Sequence, residues 1–165
     1  MNLEKYHKTV RTIIGLLESN SAWYETFEHE PVRTSEEAAQ MRNGYTIDQG
    51  AKALIFRVKK TGGIVSFVQC VLPGSKRIDS KLLIKLLGSK NIRFANPEEI
   101  ATVTDGIEIG GIPPFGNLFG LTVYVEKTLL NQEKIIFNAG DRSFSVGMKS
   151  SDYLKIVKPI IETLI

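Results

Sequence analysis

Two places in the chain carry residues that could do chemistry: a lysine set into an apolar strand pattern, and a loop made of glycine, proline and large apolar side chains. Ala51 to Val58 reads as a strand whose alternation puts Lys52 on the same face as Leu54, Phe56 and Val58. An ammonium among apolar groups is costly unless it is paired or reaches the rim, so this lysine has either an escape route or a task. Residues 105 to 120 hold five glycines and two prolines. Glycine lets backbone approach another group closely, while Pro113 and Pro114 fix φ and restrict the residue before them, so the loop should be stiff enough to aim its amides. Its other members include Ile107, Ile109, Ile112, Phe115, Leu118 and Phe119. That composition fits either a tight structural turn packed on a core or the backbone-lined wall of a pocket. A third feature, Ala139-Gly140-Asp141-Arg142-Ser143, reads as a turn with glycine and a carboxylate.

Much common chemistry is excluded. His7 lies on a predicted surface helix and His29 beside Glu30 and Pro31, and neither has the company that a metal site or a Ser/His/Asp triad requires. The single Cys70 sits in an apolar run, which rules out an internal disulfide and a cysteine zinc site and points to a reducing compartment. Gly106 to Gly111 is followed by no Gly-Lys-Ser/Thr and opens no helix, so it is neither a phosphate-binding P-loop nor a dinucleotide fingerprint. A net charge of +3, from 21 basic against 18 acidic residues, neither demands nor excludes nucleic acid. The N-terminus carries Glu4, Lys5, His7, Lys8 and Arg11 instead of an apolar signal core, and no run is long enough to span a bilayer. The expectation is a cytoplasmic protein with no metal, no cofactor and no membrane partner. The residues alone reach a pocket with a lysine and no further.

The elements that must position these residues read as α+β. Residues 1–165, 42% hydrophobic, suit a single domain. Residues 3 to 18 form an amphipathic helix within an N-terminal segment 1–21, followed by a short strand over 22–29. Thr34 with Glu37 opens a second helix that ends near Asn43 and Gly44. Ala51–Val58 and Ile64–Leu72 pair as a hairpin, and because both strands are apolar on both faces the sheet should be covered on two sides. Asp79 caps a helix over Ser80–Leu87 that Gly88 stops. Ile92–Phe94 is a strand, and Asn96, Pro97 and Glu99 start a helix running to about Thr102. Leu121–Glu126 alternates as a half-exposed strand, with Leu121, Val123 and Val125 set against Thr122, Tyr124 and Glu126. Lys134–Asn138 and Phe144–Met148 are two more strands, and a C-terminal helix runs from Ser150 or Ser151 to Leu164, bent or interrupted at Pro159.

Four motifs occur in a recognisable order: Gly50-Ala51-Lys52-Ala53-Leu54; Val71-Leu72-Pro73-Gly74 with Asp79; Gly110-Gly111-Ile112-Pro113-Pro114-Phe115-Gly116; and Asn138-Ala139-Gly140-Asp141. Together they resemble the YbaK-like family of aminoacyl-tRNA deacylases, the fold also inserted as an editing domain in bacterial prolyl-tRNA synthetases. The resemblance runs over roughly residues 27 to 155 and includes Glu28-His29-Glu30-Pro31. It implies a mixed, barrel-like sheet with helices packed around it, and metal-independent hydrolysis of the ester joining a wrong amino acid to the terminal adenosine of a tRNA. Carried over, Lys52 matches the lysine at the pocket mouth, which holds the phosphate or ribose of that adenosine or orients the substrate. Gly110, Gly111 and Pro114 match the glycine-x-x-x-proline loop, whose amides would hold the ester carbonyl and position water as an oxyanion hole does. Ile112, Phe115 and Gly116 would line the substrate site, with Gly140 bounding it and Asp141 as its neighbour. The resemblance needs no histidine base, since a ribose hydroxyl and an ordered water would share the proton work.

The implied partners are the tRNA acceptor end and an aminoacyl-tRNA synthetase, with Lys59, Lys60, Lys76 and Arg77 as a basic surface for phosphates. Two departures leave the acyl group open: the N-terminal helix and Trp23-Tyr24 strand lie beyond the core pattern, and Gly106-Ile107-Glu108-Ile109 lacks the aromatic often found after the first glycine. Two classes therefore stand, a freestanding deacylase acting in trans and a catalytically silent module that binds a nucleotide, an aminoacyl group or a protein. Either requires Lys52, the Gly110–Pro114 loop and the Gly140 turn to face one cleft.

Overall fold

The hairpin around which the chain is built joins β2 (Ala51–Lys59) to β3 (Val65–Pro73) in antiparallel register, with Lys52 opposite Leu72 and Val58 opposite Ser66. These bounds come from a computed structural model that describes residues 1–165. Ahead of the hairpin stand α1 (Lys8–Ser19), β1 (Tyr24–Glu28) and α2 (Ser35–Met41). After it come α3 (Ser80–Leu87), β4 (Ile92–Phe94), α4 (Pro97–Thr104), β5 (Thr122–Glu126), β6 (Lys134–Asp141), β7 (Phe144–Lys149), α5 (Ser150–Val157) and β8 (Ile160–Glu162). One sheet has the order β4-β2-β3-β5-β8 and the other β1-β7-β6. A parallel bridge between Gly50 and Ile136 joins them, giving a barrel-like body that is not fully closed.

The double-sided apolar pattern of the hairpin has its expected cause. On one face Phe56, Val58, Val68 and Cys70 pack with Leu83 and Leu87 of α3; on the other, Ile55 packs with Ala95, Ile100, Ile107 and Ile112. The largest cluster lies under α1, where Val10, Ile13, Ile14 and Leu17 meet Phe137, Phe144, Val146, Met148 and Tyr153. The caps read from the sequence are formed: Asp79 accepts from the Lys81 and Leu82 amides, and Asn96 and Glu99 make a reciprocal capping box.

Three expectations are corrected. The first helix begins at Lys8, not residue 3, because the His7 ring accepts from the Thr9 amide and serves as the N-cap. The fifth strand is not half-exposed. It lies between β3 and β8, pairing in parallel with both, and Glu126 on its supposed outer face is fully buried. The carboxylate tolerates this because it accepts from the Leu164 amide (2.8 Å) and the Thr128 amide (2.7 Å) and hydroxyl (2.5 Å). Burial pushes its pKa up, but those donors outweigh it and leave the group below the usual glutamate value. Third, the last helix ends at Val157: Lys158 turns left-handed (φ 53°), Pro159 cannot continue the helix, and Ile160–Glu162 becomes β8. In addition, β6 runs on to Asp141 through an irregularity after Asn138 instead of ending there.

Candidate active site

β4 covers β2 only at Phe56–Val58, so the first half of β2 has no strand on that edge. A cleft of about 570 Å³ occupies the vacancy, walled by α2, the Pro73–Arg77 turn, Ile109–Ile112 and the middle of β6. Lys52 stands at its rim. The ammonium donates to the carbonyls of Gly74 (3.3 Å) and Lys76, so the lysine escapes the apolar face by reaching the turn. Half-buried, it has a pKa lowered first by desolvation, with nearby Glu36 opposing and Arg77 adding to the effect. Lys76 and Arg77 also line the cleft. Lys59 and Lys60, grouped with them in the sequence, lie at the far end of β2, about 23 Å away at ~3.3 Å per residue, outside the cleft.

The loop is fixed by its carbonyls. Asn138 Nδ2 donates to Gly110, the buried Gln69 amide donates to Pro113 (3.0 Å), and the buried Tyr153 hydroxyl donates to Pro114 (2.7 Å). Gln69 also accepts from the Gly116 amide (2.9 Å), clamping both ends of the Pro-Pro-Phe segment. Gly110 adopts φ 92°, and a Cβ there would lie 3.2 Å from the Val32 carbonyl oxygen. Of the three amides that the loop offers between Gly110 and Pro114, Gly111 spends its own on Glu108 (2.9 Å). The Gly110 and Ile112 amides bond no acceptor within the protein, and both residues line the cleft.

Thus Lys52, Gly110 and Ile112 share one cleft, and the other expected site residues stand behind its wall. Phe115 is fully buried against Phe137 and Tyr153, with ring centroids 5.4 and 5.8 Å away. Gly116 is packed on Gln69, and the Gly111 carbonyl accepts from the Gly140 amide (2.9 Å). Gly140, at φ 107°, lies under α1, where a Cβ would come 2.8 Å from Thr9 Cβ. The Asp141 carboxylate accepts from the amides of His7 (3.2 Å) and Ser143 (3.0 Å), away from the cleft. Phe115, Gly116, Gly140 and Asp141 are not among the residues that line the cleft: apolar bulk and positive-φ backbone seat the loop and α1.

The residue that sequence reasoning missed is Arg42. At the end of α2 beside Asn43 and Gly44, it reads as a solvated helix terminus, yet it is buried and lines the cleft. Its Nε donates to Ser145 Oγ (2.9 Å) and its Nη2 to Asn138 Oδ1 (2.8 Å). His29 Nε2 closes the same group at 2.7 Å from Ser145 Oγ. Burial without a carboxylate partner brings the Arg42 pKa down to about 10, and burial followed by the Arg42 charge lowers that of His29. The signal was Asn138 and Ser145, polar residues within apolar strands. No group of three or more His, Cys, Asp and Glu side chains is placed to hold a metal, and no helix is long and apolar enough to cross a membrane.

A family model described as the aminoacyl-tRNA editing domain matches residues 29–156. The chain belongs to that family. As an editing domain it hydrolyses the aminoacyl ester of a tRNA, which bears out the resemblance read from the four motifs. The Multifunctional Ser/Thr-tRNA deacylase ProXp-y of Escherichia coli (strain K12) is 33% identical over 152 residues, 92% of this chain and 89% of that protein. The crystal structure of a putative trans-editing enzyme for prolyl tRNA synthetase is 26% identical with a TM-score of 0.78, covering 96% of this chain and 97% of the other. Hypothetical protein APE2540, 21% identical, shares the fold at a TM-score of 0.77 over 92% of this chain and 97% of its own. The mixed, barrel-like α+β architecture of this editing domain is therefore the architecture of its relatives.

Proposed function

We propose that the protein is a freestanding cytoplasmic deacylase that clears a wrongly attached amino acid from tRNA in trans, working beside an aminoacyl-tRNA synthetase. The observation that carries this reading is the pair of unclaimed amides, Gly110 and Ile112, on a loop whose Gly110, Gly111, Pro113 and Pro114 carbonyls are pinned from behind. Pinned carbonyls fix where the amides point, and preorganised donors at a developing oxyanion are a principal source of rate in acyl transfer. The cleft is of the size that takes an aminoacyl-adenosine. Lys52, with Lys76 and Arg77, would hold the terminal phosphate or ribose at the rim by charge and hydrogen bonds. Gly111, Pro114, Phe115, Gly116, Gly140 and Asp141 serve as positioning groups that seat the loop. Glu36 is the one acidic side chain of the cleft lining, and, as the family resemblance implies, proton transfer is assigned to water and the neighbouring ribose hydroxyl. The E. coli relative's name makes serine and threonine the first acyl groups to try.

The test is release of labelled amino acid from seryl-, threonyl-, alanyl- and cysteinyl-tRNA by wild type and Lys52→Ala. Lys52 is half-exposed at the rim, so the variant is expected to melt like wild type while losing about tenfold or more in kcat/KM, the magnitude of one charge-assisted contact of ~1.5–3 kcal/mol. A folded wild type silent on every member would replace the enzyme by a binding module with the same cleft.

A further inference from the structure

Arg42 is 6% exposed, and none of the protein's ion pairs involves it. A buried guanidinium without an anion is expensive, so its retention in a cleft calls for a ligand group with negative charge, permanent or developing. Its placement narrows the choice. Ser145 and Asn138 hold Nε and Nη2, while Nη1 makes no hydrogen bond within the protein. No fully buried side-chain nitrogen in this protein lacks a partner, so Nη1 reaches the open cleft. Gly50 lies beside Nη1: a Cβ at that position would sit in ordinary contact, 3.8 Å away. Asn138 ties this fork to the oxyanion loop, since the amide that accepts from Arg42 through Oδ1 donates through Nδ2 to the Gly110 carbonyl. Arg42 and the Gly110 amide are thus one side chain apart on a single rigid frame. The permanent anions of a tRNA end, its phosphates, meet the rim cations Lys52, Lys76 and Arg77 first.

We propose that Arg42 is a catalytic residue of this deacylase, its Nη1 stabilising the negative charge that develops on the acyl carbonyl oxygen. The inference rests on the deacylase reading. In the step concerned, a water oxygen bonds to the carbonyl carbon and the carbonyl π pair moves onto oxygen. Collapse of that oxyanion breaks the carbon–oxygen bond to ribose, and the proton lost by water ends on the ribose oxygen. Arg42 supplies charge and no proton. Its pKa, lowered to about 10, keeps it cationic at neutral pH.

The experiment compares wild type, Arg42→Lys and Arg42→Gln on seryl-, threonyl- and alanyl-tRNA, with binding of a non-hydrolysable seryl-adenosine amide measured alongside. A loss of one electrophilic group predicts kcat down about 100-fold or more in Arg42→Gln for every acyl group alike, with analogue affinity within about threefold. Arg42→Lys, which breaks the same fork but keeps the charge, should retain at least tenfold more turnover than Arg42→Gln. Equal loss in the two variants would assign Arg42 to structure alone. Loss confined to seryl- and threonyl-tRNA would make it a reader of the side-chain hydroxyl, and loss of analogue binding with kcat intact would make it an anchor; each overturns the proposal. Wild type silent on all three substrates would remove the deacylase reading, and this role with it.

Discussion

Gln69→Met isolates the device that aims the loop. Gln69 is fully buried on β3, and its side-chain amide donates to the Pro113 carbonyl at 3.0 Å and accepts from the Gly116 amide at 2.9 Å. Methionine has nearly the same length and volume, so little cavity is made, and flexible chains of this kind fill irregular gaps. What is lost is the partner of two buried backbone groups. Each such group left unsatisfied costs about 1–3 kcal/mol, so the variant should lose roughly 2–6 kcal/mol against a stability of about 5–15 kcal/mol for a domain of this kind. Urea unfolding, followed by fluorescence of Trp23, reads the change as a lower midpoint at constant m. In the surviving folded protein, deacylation should fall more than substrate affinity, because a loop free to rotate no longer presents the Gly110 and Ile112 amides together. A variant within 0.5 kcal/mol of wild type, with full turnover, would show that the prolines alone set the loop and that the clamp is idle.

Gly140→Ala should destabilise by about 1–3 kcal/mol from backbone strain at φ 107° alone, and further because the new Cβ meets Thr9 Cβ at 2.8 Å and must displace α1; urea titration checks this, and an unchanged midpoint would mean that α1 does not rest on β6 as described. Glu99 is held at a pKa of about 2, first by the Arg93 side chain, then by the Asn96 amide, with Arg57 assisting. A carboxylate whose folded pKa is depressed contributes stability above its unfolded value, 4.5, and loses that contribution as pH falls toward 2. The acid limb of a stability–pH curve should therefore flatten over that window in Glu99→Gln, and an unaltered limb would mean that the Arg93 pair is solvent-screened to nothing.

What the sequence disclosed and what it hid divide along a physical line. Local rules were legible, since the Asp79 and Asn96 caps, the Gly88 stop and the β2–β3 hairpin depend on residues within a few positions of one another. Non-local pairing was not. β5 looked half-exposed because alternation records side-chain polarity, while the parallel contacts with β3 and β8 that bury Glu126 are made by segments more than thirty residues away in sequence. The same limit shaped the site. Motif matching singled out Lys52 and the Gly110 loop, which line the cleft, but carried nothing of how Phe115 and Gly140 pack behind it.

Arg42 was hidden for a further reason: a cation at a helix end is ordinarily solvated and favoured there by the helix dipole, so nothing around it in sequence looks unusual. The anomaly lay elsewhere, in Asn138 within Ile-Ile-Phe-Asn-Ala and Ser145 within Phe-Ser-Val. Buried polar side chains must find partners; Ser145 Oγ donates to Asn138 Oδ1 across the β6–β7 pair (2.9 Å), and the acceptor capacity left on both oxygens is open to a donor from another element. Arg42 is that donor, bonded to both. The buried Gln69, polar in an apolar strand, leads by the same logic to Pro113 and Gly116. In this fold the polar residues out of place in the strands mark, from behind, where the wall of the cleft stands.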